Sequence, residues 1–96
     1  MTDPTHVSGL RFAQAPAGAY SAGLLGYASF VIADLIVLDG IAVRRTRDGR
    51  LVLAFPVKHD RAGRQHPLVR PVSDAARQAI TRAVVEALIL QAESPS

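Results

Sequence analysis

The chain has 96 residues, with eleven basic and eight acidic side chains, three histidines and no cysteine. That length suits one small domain with a thin core. The missing cysteines exclude disulfides, cysteine-based zinc sites and thiol catalysis. Only two Tyr and three Phe are present and no Trp, so Ala, Val, Leu and Ile must build the core.

Residues 1–7 are polar and read as a flexible N-terminus without the basic and apolar regions of a secretory signal. A single domain is expected over residues 8–93, with a tail at 94–96. Ser8 to Ala15 suits a first short strand, and the small, Gly/Pro-punctuated stretch from Ala15 to Gly23 reads as a mobile loop. Leu24 to Ala33 is rich in β-branched and aromatic residues, Ala33-Asp34 is a reversal point, and Leu35 to Thr46 resumes strand character. The apolar run from Leu24 to Leu38 is shorter than a bilayer span and carries Asp34, so no membrane association and a cytoplasmic location are expected.

Asp48-Gly49 is the strongest local signal, a hairpin turn between β-formers. Arg50 to Val57 is the returning strand, ended or placed at an edge by Pro56. A second reversal at Arg61 to Arg64 leads to a short arm from Gln65 to Arg70. Past Pro71, Ser73 sits at a helix N-cap with Asp74 in the first turn. Ala76, Ile80, Ala83, Val84, Ala87, Leu88 and Gln91 then recur at helical spacing to about Ala92. The expectation is an α+β domain: an antiparallel sheet of four to five strands built from hairpins, then one C-terminal amphipathic helix. Val84, Val85, Leu88 and Ile89 help make that helix apolar beyond the stripe one sheet needs, which points to a homodimer interface there.

Catalytic and metal-binding patterns are weak. His59, Asp60 and His66 match no ligand spacing with a mechanical rationale, and solvated loop residues are the better reading. Ser73 lacks a nucleophile context, so it reads as a cap. Asp34 and Asp39, in or beside a turn, make a poor carboxylate pair. No enzyme activity, cofactor, metal or small-molecule substrate is expected.

Charge is the informative feature. Arg44, Arg45, Arg47, Arg50, Lys58, Arg61, Arg64 and Arg70 fall between Ile41 and Val72 against Asp48 and Asp60, leaving +6 there while the whole chain carries +3. Such a field attracts polyanions. Its bland alternative is a solvated face of arginine-bearing strands. Two details favour phosphate contacts: arginine outnumbers lysine ten to one, and its planar fork suits bidentate phosphate binding. The basic residues also gather at the two turns, which would form a two-fingered clamp if both tips projected the same way. The aromatic platform of single-strand binders is missing from this stretch, where Phe55 is the only ring.

From Ala28 onward the order of motifs resembles the SpoVG family (stage V sporulation protein G, or septation protein G). The counterparts are Ala28-Ser29-Phe30, Ile36-Val37-Leu38, Ile41-Ala42-Val43, the turn at Asp48-Gly49 and the strand Leu51 to Lys58. Gly63 in a charged hairpin and Arg70-Pro71-Val72 before the helix complete the set. The most specific parts are the Ala54-x-Pro56-x-Lys58 strand end and the x-Pro-hydrophobic approach to the helix. The resemblance implies a small cytoplasmic bacterial regulator that binds DNA and RNA, dimerises through strand pairing and helix contacts, and is not an enzyme. It implies binding at the hairpin after the Ala-x-Pro strand, with Lys58 as the matching lysine and His59 where an arginine is common. Arg61 and Arg64 supply charge nearby, and Arg77 matches a basic site early in the helix. Residues 1–23 and the basic first turn, Arg44 to Arg50, depart from the family pattern.

Overall fold

A computed structural model describes residues 4–93. The order of elements is β1 (Val7–Gln14), α1 (Ala17–Tyr20), β2 (Leu24–Ile32), β3 (Ile36–Arg45), β4 (Leu51–Ala54), β5 (Val57–His59), β6 (Gln65–Pro67) and α2 (Asp74–Glu93). The fold is α+β. Strands β1 to β4 form an antiparallel meander in chain order, β5 and β6 form a separate two-stranded sheet, and α2 packs on the meander.

One face of the meander builds the core. Ala28 and Phe30 on β2, Leu38, Ile41 and Val43 on β3, and Leu53 on β4 are buried against Val84 of α2. Ile80 and Leu88, one helical turn to either side of Val84, pack around this cluster. Ser73 caps α2 as expected: its Oγ accepts the Ala76 N–H at 3.0 Å. At the other end the Gln91 side-chain amide donates to the Leu10 carbonyl at 2.9 Å, so the helix crosses the sheet from β4 to β1.

All three expected reversals are present, the last joining β5 to β6. At the β2–β3 turn Leu35 N–H donates to the Ile32 carbonyl at 3.0 Å, with Ala33 and Asp34 both at positive φ (56° and 58°). Two consecutive positive φ angles make the type I′ turn whose twist suits a two-residue hairpin. At the β3–β4 turn Gly49 takes φ 86° and donates to the Thr46 carbonyl at 3.0 Å.

Four expectations need correction. The N-terminal extension is fixed earlier than expected, because the His6 carbonyl accepts the Ala33 N–H at 2.8 Å and Val7 pairs with Ile32. Residues 1–3 and the expected tail at 94–96 lie outside the described residues. The stretch read as a mobile loop contains the single turn α1, started by Pro16 at φ −56°, whose carbonyl accepts the Ala19 N–H at 2.9 Å. The strand expected from Arg50 to Val57 divides at Phe55-Pro56, since Pro56 has no N–H for a ladder. The second arm stops at Pro67, after which the Leu68 N–H turns back to the Pro56 carbonyl at 3.1 Å.

The hairpin β5–β6 packs against no other strand or helix among the described residues. The Cα radius of gyration is 14.1 Å, against about 12.5 Å for a compact chain of this length. No described helix is long and apolar enough to cross a membrane.

Candidate nucleic-acid interface

The first basic tip is the β3–β4 turn. Thr46 closes it: its hydroxyl donates to Asp48 and its oxygen accepts the Arg50 N–H. Arg50 Nε donates to Asp48 Oδ2 at 2.9 Å. The Thr46 hydroxyl first, then the Arg50 charge, hold the Asp48 carboxyl below its ordinary value. Arg44 is also engaged, since its Nη2 donates to the Ala22 carbonyl at 3.0 Å and ties the segment after α1 to β3. Of the four arginines expected to act together, Arg45 and Arg47 remain exposed and without a carboxylate partner among the described residues.

The second tip, between β5 and β6, is organised by Asp60. Its Oδ1 accepts the Ala62 and Arg64 N–H groups, each at 2.9 Å. Its Oδ2 accepts the His66 Nε2–H at 2.9 Å and pairs with Arg64 Nε at 3.3 Å. The His66 hydrogen bond, followed by the Arg64 backbone N–H, lowers the Asp60 pKa. Asp60 and His66 are therefore the lock of the turn, a more specific role than the solvated loop residues expected. Lys58, opposite His66 in the ladder, and His59, opposite Gln65, are exposed along β5, with Arg61 exposed at the tip. Arg64 is partly neutralised, while Lys58 and Arg61 have no described carboxylate partner. No group of three His, Asp or Glu side chains among the described residues is placed to hold a metal ion.

The first tip precedes β4 and the second comes after β5. They belong to different sheets, since β5 and β6 pair only with each other. The chain thus presents two basic patches, one on the meander and one on the separate hairpin.

Arg77 sits elsewhere again. Its guanidinium carbon lies 5.6 Å from the Phe55 ring centre, and its Nη1 donates to the Leu53 carbonyl at 3.4 Å. It fastens the start of α2 to β4 and lines a groove there with Arg50 and Arg82. Sequence reasoning passed over Arg82, although Gln78, Arg82 and Val85 share a helical face by their three- and four-residue spacing.

The expected dimer residues also separate. Val84 is wholly buried in the chain's own core and is not available to a partner, which corrects its assignment. Val85 is half-buried beside β4, and Leu88 packs on the core. Ile89 and its neighbour Leu90 are the exposed apolar residues of α2, at 51% and 66%.

Compared with protein-family models and with curated proteins, the chain matches none. The likeness to SpoVG proteins therefore rests on the order of motifs from Ala28 to the start of α2.

Proposed function

We propose that the protein is a small nucleic-acid-binding regulator of the SpoVG type, acting as a homodimer and without catalytic activity. One observation carries this reading. Arg45, Arg47, Lys58 and Arg61 stand exposed at two turns and on the strand ends beside them, with no carboxylate ion-pair partner among the described residues. Arg44, Arg50, Arg64 and Arg77, by contrast, each have a protein partner. Unpaired cations held on turns bind phosphate oxygens without first breaking an internal ion pair. The order of SpoVG-like motifs supports the same conclusion, most directly at Lys58.

Each phosphate neutralised releases condensed counterion, so affinity should fall linearly on a log–log plot against salt. Fluorescence anisotropy with labelled duplex DNA, single-stranded DNA and RNA tests this. Binding to none of the three at low salt ends the proposal. Selection out of random pools then defines the sequence context of the target, the choice between DNA and RNA, and the grounds for any septation role.

A second reading, a protein-interaction module, is favoured by the edge of β4. The Arg50 carbonyl accepts the Thr46 N–H at 2.8 Å, so Arg50, Val52 and Ala54 point their polar groups to β3. Leu51 and Leu53 must then point theirs outward. Among the described residues, Arg77 covers the Leu53 carbonyl. An open edge beside apolar side chains suits strand addition by a partner. It predicts a stable heteromeric complex with little salt-sensitive affinity for nucleic acid.

A further inference from the structure

We propose that the cleft between α1 and the first basic tip binds one unpaired nucleotide, making the protein a single-strand binder at this end. The inference rests on the nucleic-acid reading above and names the form of nucleic acid recognised. It joins Arg45 and Arg47 to residues 12–25, which the SpoVG-like motifs do not cover.

Two adjoining clefts meet here. One, of about 350 Å³, is polar and lined by Tyr20, Ser21 and the exposed Arg45 and Arg47. The other, of about 320 Å³, is lined by Phe12, Tyr20 and Leu25, with Gln14 and Arg45 at its margin. Tyr20 and Arg45 belong to both, and no acidic side chain lines either. The pair matches the two halves of a nucleotide. Arg45 and Arg47 offer guanidinium groups to a phosphate. Tyr20 and Phe12 offer ring surface to a base, and the Gln14 amide offers a donor and an acceptor to its edge. A base inside a duplex is stacked on both faces and cannot enter, so only an unpaired one fits.

The cleft is held together by backbone contacts. Arg45 N–H donates to the Gly23 carbonyl at 2.7 Å, and Arg44 Nη2 holds the Ala22 carbonyl. Gly23 is at φ 91°, and a Cβ there would lie 2.7 Å from the Arg45 carbonyl oxygen. Only glycine permits this approach. The aromatic surface missing from the basic stretch is thus supplied by a residue 25 positions before Arg45, brought alongside by the turn at 21–23.

The chain has no Trp and only two tyrosines, so in a Tyr27→Phe background tyrosine emission reports Tyr20 alone. Titration with a short oligothymidylate should quench that emission, and a duplex of equal length should not. Tyr20→Leu should weaken single-strand binding roughly five-fold or more, with duplex binding unchanged and Tyr20→Phe close to wild type. Absence of quenching by a single strand that binds overturns the cleft assignment. So does an equal effect of Tyr20→Leu on both forms. The Arg45→Glu, Arg47→Glu double variant separates the two levels. If it abolishes binding while Tyr20→Leu changes nothing, the nucleic-acid reading stands and this cleft falls. If wild type binds neither form at low salt, both fall. The quenching arm needs no substitution at Tyr20, so a poorly folding Tyr20→Leu does not spare the proposal.

Discussion

An arginine that already donates to a carboxylate has less to offer a phosphate than one that stands alone. Charge reversal at Arg45 and Arg47 should therefore cut nucleic-acid affinity more than removal of charge at Arg50 and Arg64, whose guanidiniums are committed to Asp48 and Asp60. Arg50→Gln and Arg64→Gln should each change the anisotropy-measured affinity by less than about three-fold, while Arg45→Glu with Arg47→Glu should lose about ten-fold or more. Asp60 offers a second prediction. Its folded pKa lies below the ordinary 3.8 because His66 and the turn amides hold the ionised form. A carboxyl lowered in this way favours the folded turn above its unfolded pKa, and that contribution is lost as pH falls through the folded value. The amide resonances of Ala62 and Arg64 should move together in an acid transition below the ordinary value of 3.8. Asp60→Asn should remove that acid transition while leaving the meander's resonances in place. An unchanged transition in the variant would assign it to another group.

At the scale of elements, the β2–β3 turn carries strain that can be relieved. Ala33 sits at φ 56°, where a Cβ costs about 1–2 kcal/mol. Ala33→Gly should raise stability by about 1 kcal/mol and the Tm by several degrees in thermal unfolding; a fall in Tm would show that packing, not φ, sets the cost there. Local chemistry explains what the sequence made legible and what it hid. Asp48-Gly49, Ser73 and the Ile80–Val84–Leu88 row act within a few residues, so they are readable as turn, cap and buried face. Pro56 is readable as a strand stop but not as the point where a second sheet begins, because a missing N–H ends one ladder without specifying the next. The arginines are legible as a cluster. Which of them are engaged is not, since Arg44 meets Ala22 and Arg77 meets Phe55 only through the tertiary fold. Tyr20 escapes for the same reason: nothing local joins it to Arg45.

For the whole molecule, the unburied apolar surface is the quantity to account for. Leu35, Ile36 and Val37 at the β2–β3 turn, Val72 before α2, and Ile89 and Leu90 near its end are all more than half exposed. Exposed apolar side chains mark contacts between molecules where they adjoin one another. The proposed homodimer would cover part of them, and light scattering during gel filtration should report twice the 10.2 kDa chain mass. Ile89→Glu with Leu90→Glu should restore the monomer if the helix end is the contact. If the dimer survives this pair, the contact lies at the β4 edge or the β2–β3 turn instead. The break between β4 and β5 then acquires a further meaning. The hairpin that carries Lys58 and Arg61 packs against no other described strand or helix. Its direction relative to the tip that bears Arg45 and Arg47 is therefore set by the segments that flank it, not by a shared sheet. A strand of nucleic acid gripped at both tips would act as the missing cross-piece, and the shortest one able to occupy both would measure the distance between them.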